Sequence, residues 1–298
     1  MLFLAGPASA QPLHLNPQTI APGVWFLPGD ASKAYCNNIV IEMHDYLIVV
    51  DANYPGRARE LVAEIHQLSP KPVRFVFLTH AHRDHSYGSI VWTRAGATTF
   101  AYQGVDDEMD RYEPERWRAT AAVRDDVRSL GLNDAPRPQL VFRHSPFVLK
   151  DSTREVDFLF FGWAHTQGDG FVWLPKERIL CTGDAAVNGP RNKLWDANLA
   201  NWPRVLAQAL ALNPLHVLPG HGDAGGPGIL TGQQQFLQDL YATVQQEIAA
   251  GKTLAQITAT LPGRDRNWIP RDLSQDFAIA YAEITQHQPA GALPHPWK

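Results

Sequence analysis

Short apolar stretches separated by turn residues set the rhythm of the first two thirds of the chain. Val24–Leu27, Asn38–Met43 and Tyr46–Val50 read as strands, with His44-Asp45 at a hairpin turn. Residues Gly56–Leu68 switch to helical spacing and stop at Pro70 and Pro72. Val73–Leu78 is a continuous apolar run, the pattern of a strand covered on both faces. A helix over Ser86–Arg94 and a strand over Thr98–Tyr102 follow. Asp106–Leu130 is the most charged segment and helical in pattern, either a solvated surface helix or a lid.

A second strand series then runs through Leu140–Phe142, Phe147–Leu149, Val156–Phe161, Phe171–Leu174 and Ile179–Cys181. A helix over Arg204–Leu212 leads to a short strand, His216–Leu218. Beyond Gly222, apolar residues recur every three or four positions over Thr231–Ala250 and Leu254–Leu261, with Gly251 as a helix C-cap. Two half-sets of strands with interspersed helices predict an α/β fold, a four-layer sandwich of two sheets with helices outside. Residues 11–223 form the expected main domain, and 224–298 a helical extension packed on it.

Composition narrows the function. The chain has 298 residues, 45% hydrophobic and 19% charged, with a formal net charge of -4. That balance offers no electrostatic footprint for nucleic acid. No apolar run reaches the roughly 20 residues that span a bilayer. Cys36 and Cys181 are the only cysteines and sit in apolar stretches, so they read as buried free thiols. Leu2–Gln11 resembles the end of a secretory signal, with Ala8-Ser9-Ala10 as the cleavage site, though without a basic segment before it. The expectation is a mature protein beginning at Gln11 and working in the periplasm or outside the cell.

The twelve histidines change the picture most. The buried strand Val73–Leu78 delivers the chain into Thr79-His80-Ala81-His82-Arg83-Asp84-His85. Four residues with metal-binding side chains thus lie within six positions, at the C-terminal end of a strand. Neutral imidazole and carboxylate bind zinc where cysteine is scarce. His165, Asp184 and His221 each follow a later strand.

This order, HxHxDH then His, Asp and His, resembles the metallo-β-lactamase superfamily over about Pro22 to Asp223. Val49-Val50-Asp51 is similar to the strand-ending Asp that such proteins carry beneath the site. The resemblance implies two zinc ions, with iron as an alternative. His80, His82 and His165 would hold one, Asp84, His85 and His221 the other, and Asp184 would bridge them. It implies hydrolysis of an ester, thioester, lactone or lactam carbonyl by a metal-bridging hydroxide, with Asp84 as catalytic proton carrier. Asp51 and Asp169 are the candidates for hydrogen bonds that fix imidazole tautomers.

Family members that hydrolyse lactams through such a His-rich site generally carry Cys or Ser where Asp184 stands. Cys181 is three residues early and on the other strand face. The resemblance therefore favours the glyoxalase- and lactonase-like branch. His165-Thr166-Gln167-Gly168-Asp169 with Pro175, Gly183-Asp184 and Trp202 is similar to a group of exported hydrolases, some accompanying periplasmic quinoprotein oxidation systems. A mononuclear iron dioxygenase acting on persulfides, a β-lactamase and a non-catalytic binding protein are the alternatives. The expected partner is a small molecule. Its contacts are expected from Tyr54 and Pro55, Ser86 and Tyr87, and Asn188 to Trp195, with Tyr87 and Trp195 as an apolar wall. Asn188, Arg191 or Lys193 would hold a carboxylate, while Trp92 and Trp173 belong to the core.

Overall fold

Apolar residues occupy both parities of the central strands, and each parity goes to a different layer. In the computed structural model, which describes residues 16–189, 192–260 and 273–294, Ile39, Ile41, Ile48, Val50 and Phe77 point one way and Val40, Val49, Val76 and Leu78 the other. A strand alternates its side chains across the sheet, so burial of both sets requires cover on both faces. The expected signal segment and Arg191 lie outside the described residues.

The first sheet has seven strands in sequence order: β1 (Gln18–Ala21), β2 (Val24–Leu27), β3 (Asn38–Glu42), β4 (Leu47–Val50), β5 (Val73–Leu78), β6 (Thr98–Tyr102) and β7 (Leu140–Phe142). It is antiparallel from β1 to β4 and parallel from β4 to β7. The second has five: β8 (Phe147–Lys150), β9 (Glu155–Phe160), β10 (Gly170–Leu174), β11 (Ile179–Gly183) and β12 (His216–Pro219), in the order β12-β11-β10-β9-β8. In it β11 and β12 run parallel, and the other three neighbouring pairs are antiparallel.

Three cores separate the four layers. Phe77, Ile48 and Val50 meet Phe158, Val172 and Cys181 between the sheets. Outside the first sheet, Leu61 of α1 (Pro55–Glu64) and Trp92 of α3 (Ser89–Arg94) pack on Val49 and Val76. Outside the second, Trp202 and Leu206 of α7 (Trp202–Ala211), Leu237 of α8 (Gly228–Ala249) and Phe277 of α10 (Ser274–Gln286) pack on Phe171 and Leu180. α9 (Leu254–Thr260) adds Ile257 to that core. Both cysteines are buried and free. No described helix is long and apolar enough to cross a membrane.

The sequence reading does not include β1, and two helical regions near the His-rich run also differ from expectation. The helix expected over Ser86–Arg94 is split into α2 (Arg83–Ser86) and α3 at Gly88. A Cβ there would lie 2.2 Å from the Ala52 carbonyl oxygen, so only glycine lets the chain pass that close. The charged stretch forms three helices, α4 (Gln103–Tyr112), α5 (Glu115–Val123) and α6 (Asp125–Arg128). Met109, Trp117 and Val127 enter the core, so this stretch is neither a free surface helix nor a detached lid.

Candidate metal centre

Strand ends carry every sequence-expected ligand to one edge of the sandwich. β5 leads into His80, His82, Asp84 and His85; His165 sits in the β9–β10 connection; Asp184 follows β11; and His221 follows β12. One nitrogen each from His80, His82 and His165 and an oxygen of Asp184 lie within 4.8 Å of one another; Asp84, His85 and His221 form a second such group. Asp184 faces both: Oδ2 is 3.9 Å from His165 Nε2 and 3.5 Å from His221 Nε2, and Oδ1 is 3.4 Å from His85 Nε2. Asp84 Oδ2 is 3.1 Å from His221 Nε2.

Buried acceptors behind the rings set which nitrogen faces inward. Asp51 Oδ2 lies 2.7 Å from His85 Nδ1 and Asp196 Oδ2 lies 2.8 Å from His82 Nε2. Those nitrogens carry the protons, leaving lone pairs on His85 Nε2 and His82 Nδ1. The Thr79 hydroxyl donates to Asp51 and accepts from His80 Nδ1 at 3.0 Å, which frees His80 Nε2. The backbone N–H of Thr79 also donates to Asp51, at 2.8 Å.

The electrostatics divide the two groups. Burial lowers the pKa of His80, His82 and His165, the last to about 3, and neighbouring imidazoles add to the effect on His80 and His165. These three are therefore neutral, the state in which imidazole binds a metal. Burial opposes charge on His85 and His221 as well, but the surrounding carboxylates raise both. Burial likewise opposes charge on Asp84, while His85 and His221 hold it well below the usual carboxylate range.

A cation fits this donor set. His80 Nε2, His85 Nε2 and Asp184 Oδ1 are buried with no hydrogen-bond partner, a costly arrangement unless something binds them. His82 Nδ1 and His165 Nε2 face each other at 3.1 Å, although Nδ1 has no proton to give. Gly220 makes room for the cluster, since a Cβ there would lie 2.2 Å from Asp184 Oδ1. Gly220→Ala is therefore expected to displace Asp184 and weaken metal retention, which metal analysis after gel filtration checks.

Sequence reasoning missed the supports that act through space. Asp196 stands one residue past the expected contact loop, and nothing local marks it. Asn37 donates to the carbonyls of Pro219 and Gly222, tying the His221 turn to the first sheet. Asp169 does not touch an imidazole. It accepts from the backbone N–H groups of Ala164 and Thr166 and from the Thr166 hydroxyl, shaping the turn that carries His165. Tyr87 is fully buried and donates to Glu113, and the Ser86 hydroxyl donates back to the Ala81 and His82 carbonyls. Neither lines the site, because the tight turn into α2 rotates them inward. Pro55 is buried at the start of α1, and Asn188 donates to the Asp223 carbonyl.

A cavity of about 670 Å³ opens over the cluster. Tyr54, Trp195, Arg83, Arg116, Arg124 and Lys193 are among its lining residues, with Asp84, Asp184 and His221. Arg116 is paired with Glu113 and Arg124 with Asp126, while Arg124 lies 3.6 Å above the Tyr54 ring. Asp196→Ala is expected to lower metal affinity by about 10- to 100-fold by releasing the His82 ring; competition with a chelating indicator checks it.

The four-layer sandwich thus brings four loops bearing imidazole and carboxylate side chains together at one edge. The family model of the metallo-beta-lactamase superfamily matches residues 32–228, and the chain belongs to that superfamily. It is 26% identical over 200 residues to a metallo-beta-lactamase type 2 of Bacillus cereus, covering 65% of this chain and 70% of that protein. It is 31% identical over 107 residues to the type 2 enzyme of Bacteroides fragilis, covering 34% of this chain and 43% of that one. A metallo-beta-lactamase structure from Pontibacter korlensis superposes with a TM-score of 0.60 at 19% identity, over 76% of this chain and 100% of that one. The DIM-1 metallo-beta-lactamase does so at 0.62 and 18% identity, over 76% of this chain and 98% of that one. The superfamily and the αββα fold expected from the HxHxDH pattern are borne out.

Proposed function

We propose that the chain is a dinuclear zinc hydrolase acting on an ester, thioester, lactone or lactam carbonyl of a small molecule. The observation that carries this reading is the position of Asp184 between two groups of nitrogen and oxygen donors. His80, His82 and His165 would hold one ion, Asp84, His85 and His221 the other, and Asp184 both. When bound, such a pair supplies an ionised water near neutral pH and a Lewis acid for the carbonyl oxygen.

The chain's own residues do the rest. Asp84, about a quarter exposed at the cavity floor, is placed to orient the attacking oxygen and pass its proton to the leaving heteroatom through Oδ2. Lys193 is exposed at the cavity wall and has no carboxylate partner among the described residues. With Arg83 it favours a substrate bearing a negative charge. Trp195 and Tyr54 give the opening apolar surface that excludes water around the reacting group.

The test is a hydrolysis panel on zinc-loaded protein: lactones, S-lactoylglutathione, phosphodiesters and a chromogenic cephalosporin. Turnover of a lactone or thioester supports the glyoxalase-like reading. Turnover of the cephalosporin alone would place the activity with that of the named relatives. Chelation is expected to abolish turnover and lower Tm, because an ion that binds only the folded chain stabilises it, and added zinc should restore both.

A further inference from the structure

We infer that α10 and the segment after it form an apolar subsite for the hydrocarbon tail of the substrate whose acyl head sits at the metal cluster. This rests on the hydrolase reading above. A second cavity of about 320 Å³ lies beside the catalytic one, and Trp195 lines both. Its other walls include Ala278, Ile279, Ala282, Leu293 and Pro294, with Gln286 the polar lining residue. Its volume lies at the lower end of the range for ligand pockets, about 300–1,000 Å³.

The helix spacing explains the hollow. Ala278, Ala282 and Gln286 follow one another at four-residue steps along α10 and share a face. The two alanines are only half-buried, so their small side chains leave a trough where larger ones would close it. The trough is also held firmly. Glu283 accepts from the N–H groups of Leu199, Ala200 and Ala290, and Gly291 N donates to the Ala197 carbonyl. Arg111 holds the Gly291 and Leu293 carbonyls from the opposite side. The loop carrying Trp195 and the wall made by residues 290–293 are therefore one hydrogen-bonded unit.

Polarity assigns the occupant. Arg83, Arg116, Arg124, Lys193 and the carboxylates share the lining of the catalytic cavity with Tyr54, Val123 and Trp195, so that its wall is mixed, whereas the adjoining cavity is lined mainly by apolar side chains. The adjoining cavity is apolar and shares Trp195 with the catalytic one, and Gln275 at the start of α10 lines the catalytic side. A substrate with a charged or acyl head and a medium-length hydrocarbon tail fits both. This part of the chain lies beyond the span matched by the superfamily model, so the subsite is a property of this chain's extension.

Binding of acetate and octanoate to the full-length zinc-loaded protein, measured by titration calorimetry, tests the subsite without requiring turnover. Octanoate should bind at least about tenfold more tightly than acetate, because the extra methylenes leave water. Ala282→Phe, and independently Ala278→Leu, should remove most of that difference and leave acetate binding and the melting temperature unchanged. Equal affinities in the wild type would overturn the subsite even if the hydrolysis panel succeeds. A gain for octanoate that both variants retain would also overturn it, as would a change of oligomeric state in the variants, which would make the trough a contact between copies. Failure of every hydrolysis arm with the octanoate gain intact would instead count against the reaction and leave the subsite standing.

Discussion

Asp84→Ala is expected to lower kcat/KM on a confirmed substrate by about 100- to 10,000-fold, the usual contribution of a positioned proton carrier, with little loss of stability. Asp84 lies at the cavity floor, and its charge is held by His85 and His221 rather than by core hydrogen bonds. Circular dichroism and thermal melting of the metal-free variant should therefore match those of the metal-free wild type. Asp84→Asn keeps the shape but cannot accept the proton, and should be nearly as impaired as the alanine variant. An unchanged rate in either variant would contradict the role given to Asp84.

The second large effect concerns Asp51, which is almost fully buried and accepts from Thr79 N, Thr79 Oγ1 and His85 Nδ1. Asp51→Ala strands these donors and places alanine at φ +67°, where only glycine, asparagine and aspartate sit comfortably. The expected cost is about 3–5 kcal/mol, that of leaving a buried charged network with one partner missing, read by urea denaturation. Asp51→Asn tolerates the left-handed backbone and still accepts from Thr79. Its amide can, however, present N–H where His85 Nδ1 now donates. That favours the other His85 tautomer and turns the Nε2 lone pair into a donor. The asparagine variant should therefore recover most of the stability yet lose about 10- to 100-fold in metal affinity. A variant that lost stability and metal together, in proportion, would show that Asp51 acts only through folding.

What could be read from the chain divides by range. β2, β5, β6 and β7 fall on the residues that the apolar pattern predicts, because a short apolar run bounded by turn residues needs only local sequence to be recognised. The seven ligand-type residues meet at one place because each follows a strand, and strand ends share an edge of the sandwich. The supports behind them were hidden. Asp196 reaches His82 across 114 residues and Asn37 reaches Pro219 across 182, and no spacing rule carries such pairs. Asp169 and Tyr87 were assigned by proximity to the motif, whereas the tight turns beside them direct both side chains away from the cluster. The apolar trough on α10 was equally invisible, since alanines at four-residue spacing read as ordinary helix until a neighbouring wall leaves them uncovered.

The central claim is a pair of ions in one site, and metal content measures it directly. The purified protein, analysed by plasma mass spectrometry against quantitative amino-acid analysis, should hold about two zinc per chain, and Asp184→Ala should retain no more than one. A single iron per chain, with oxygen uptake on a persulfide and no hydrolysis, would contradict the account.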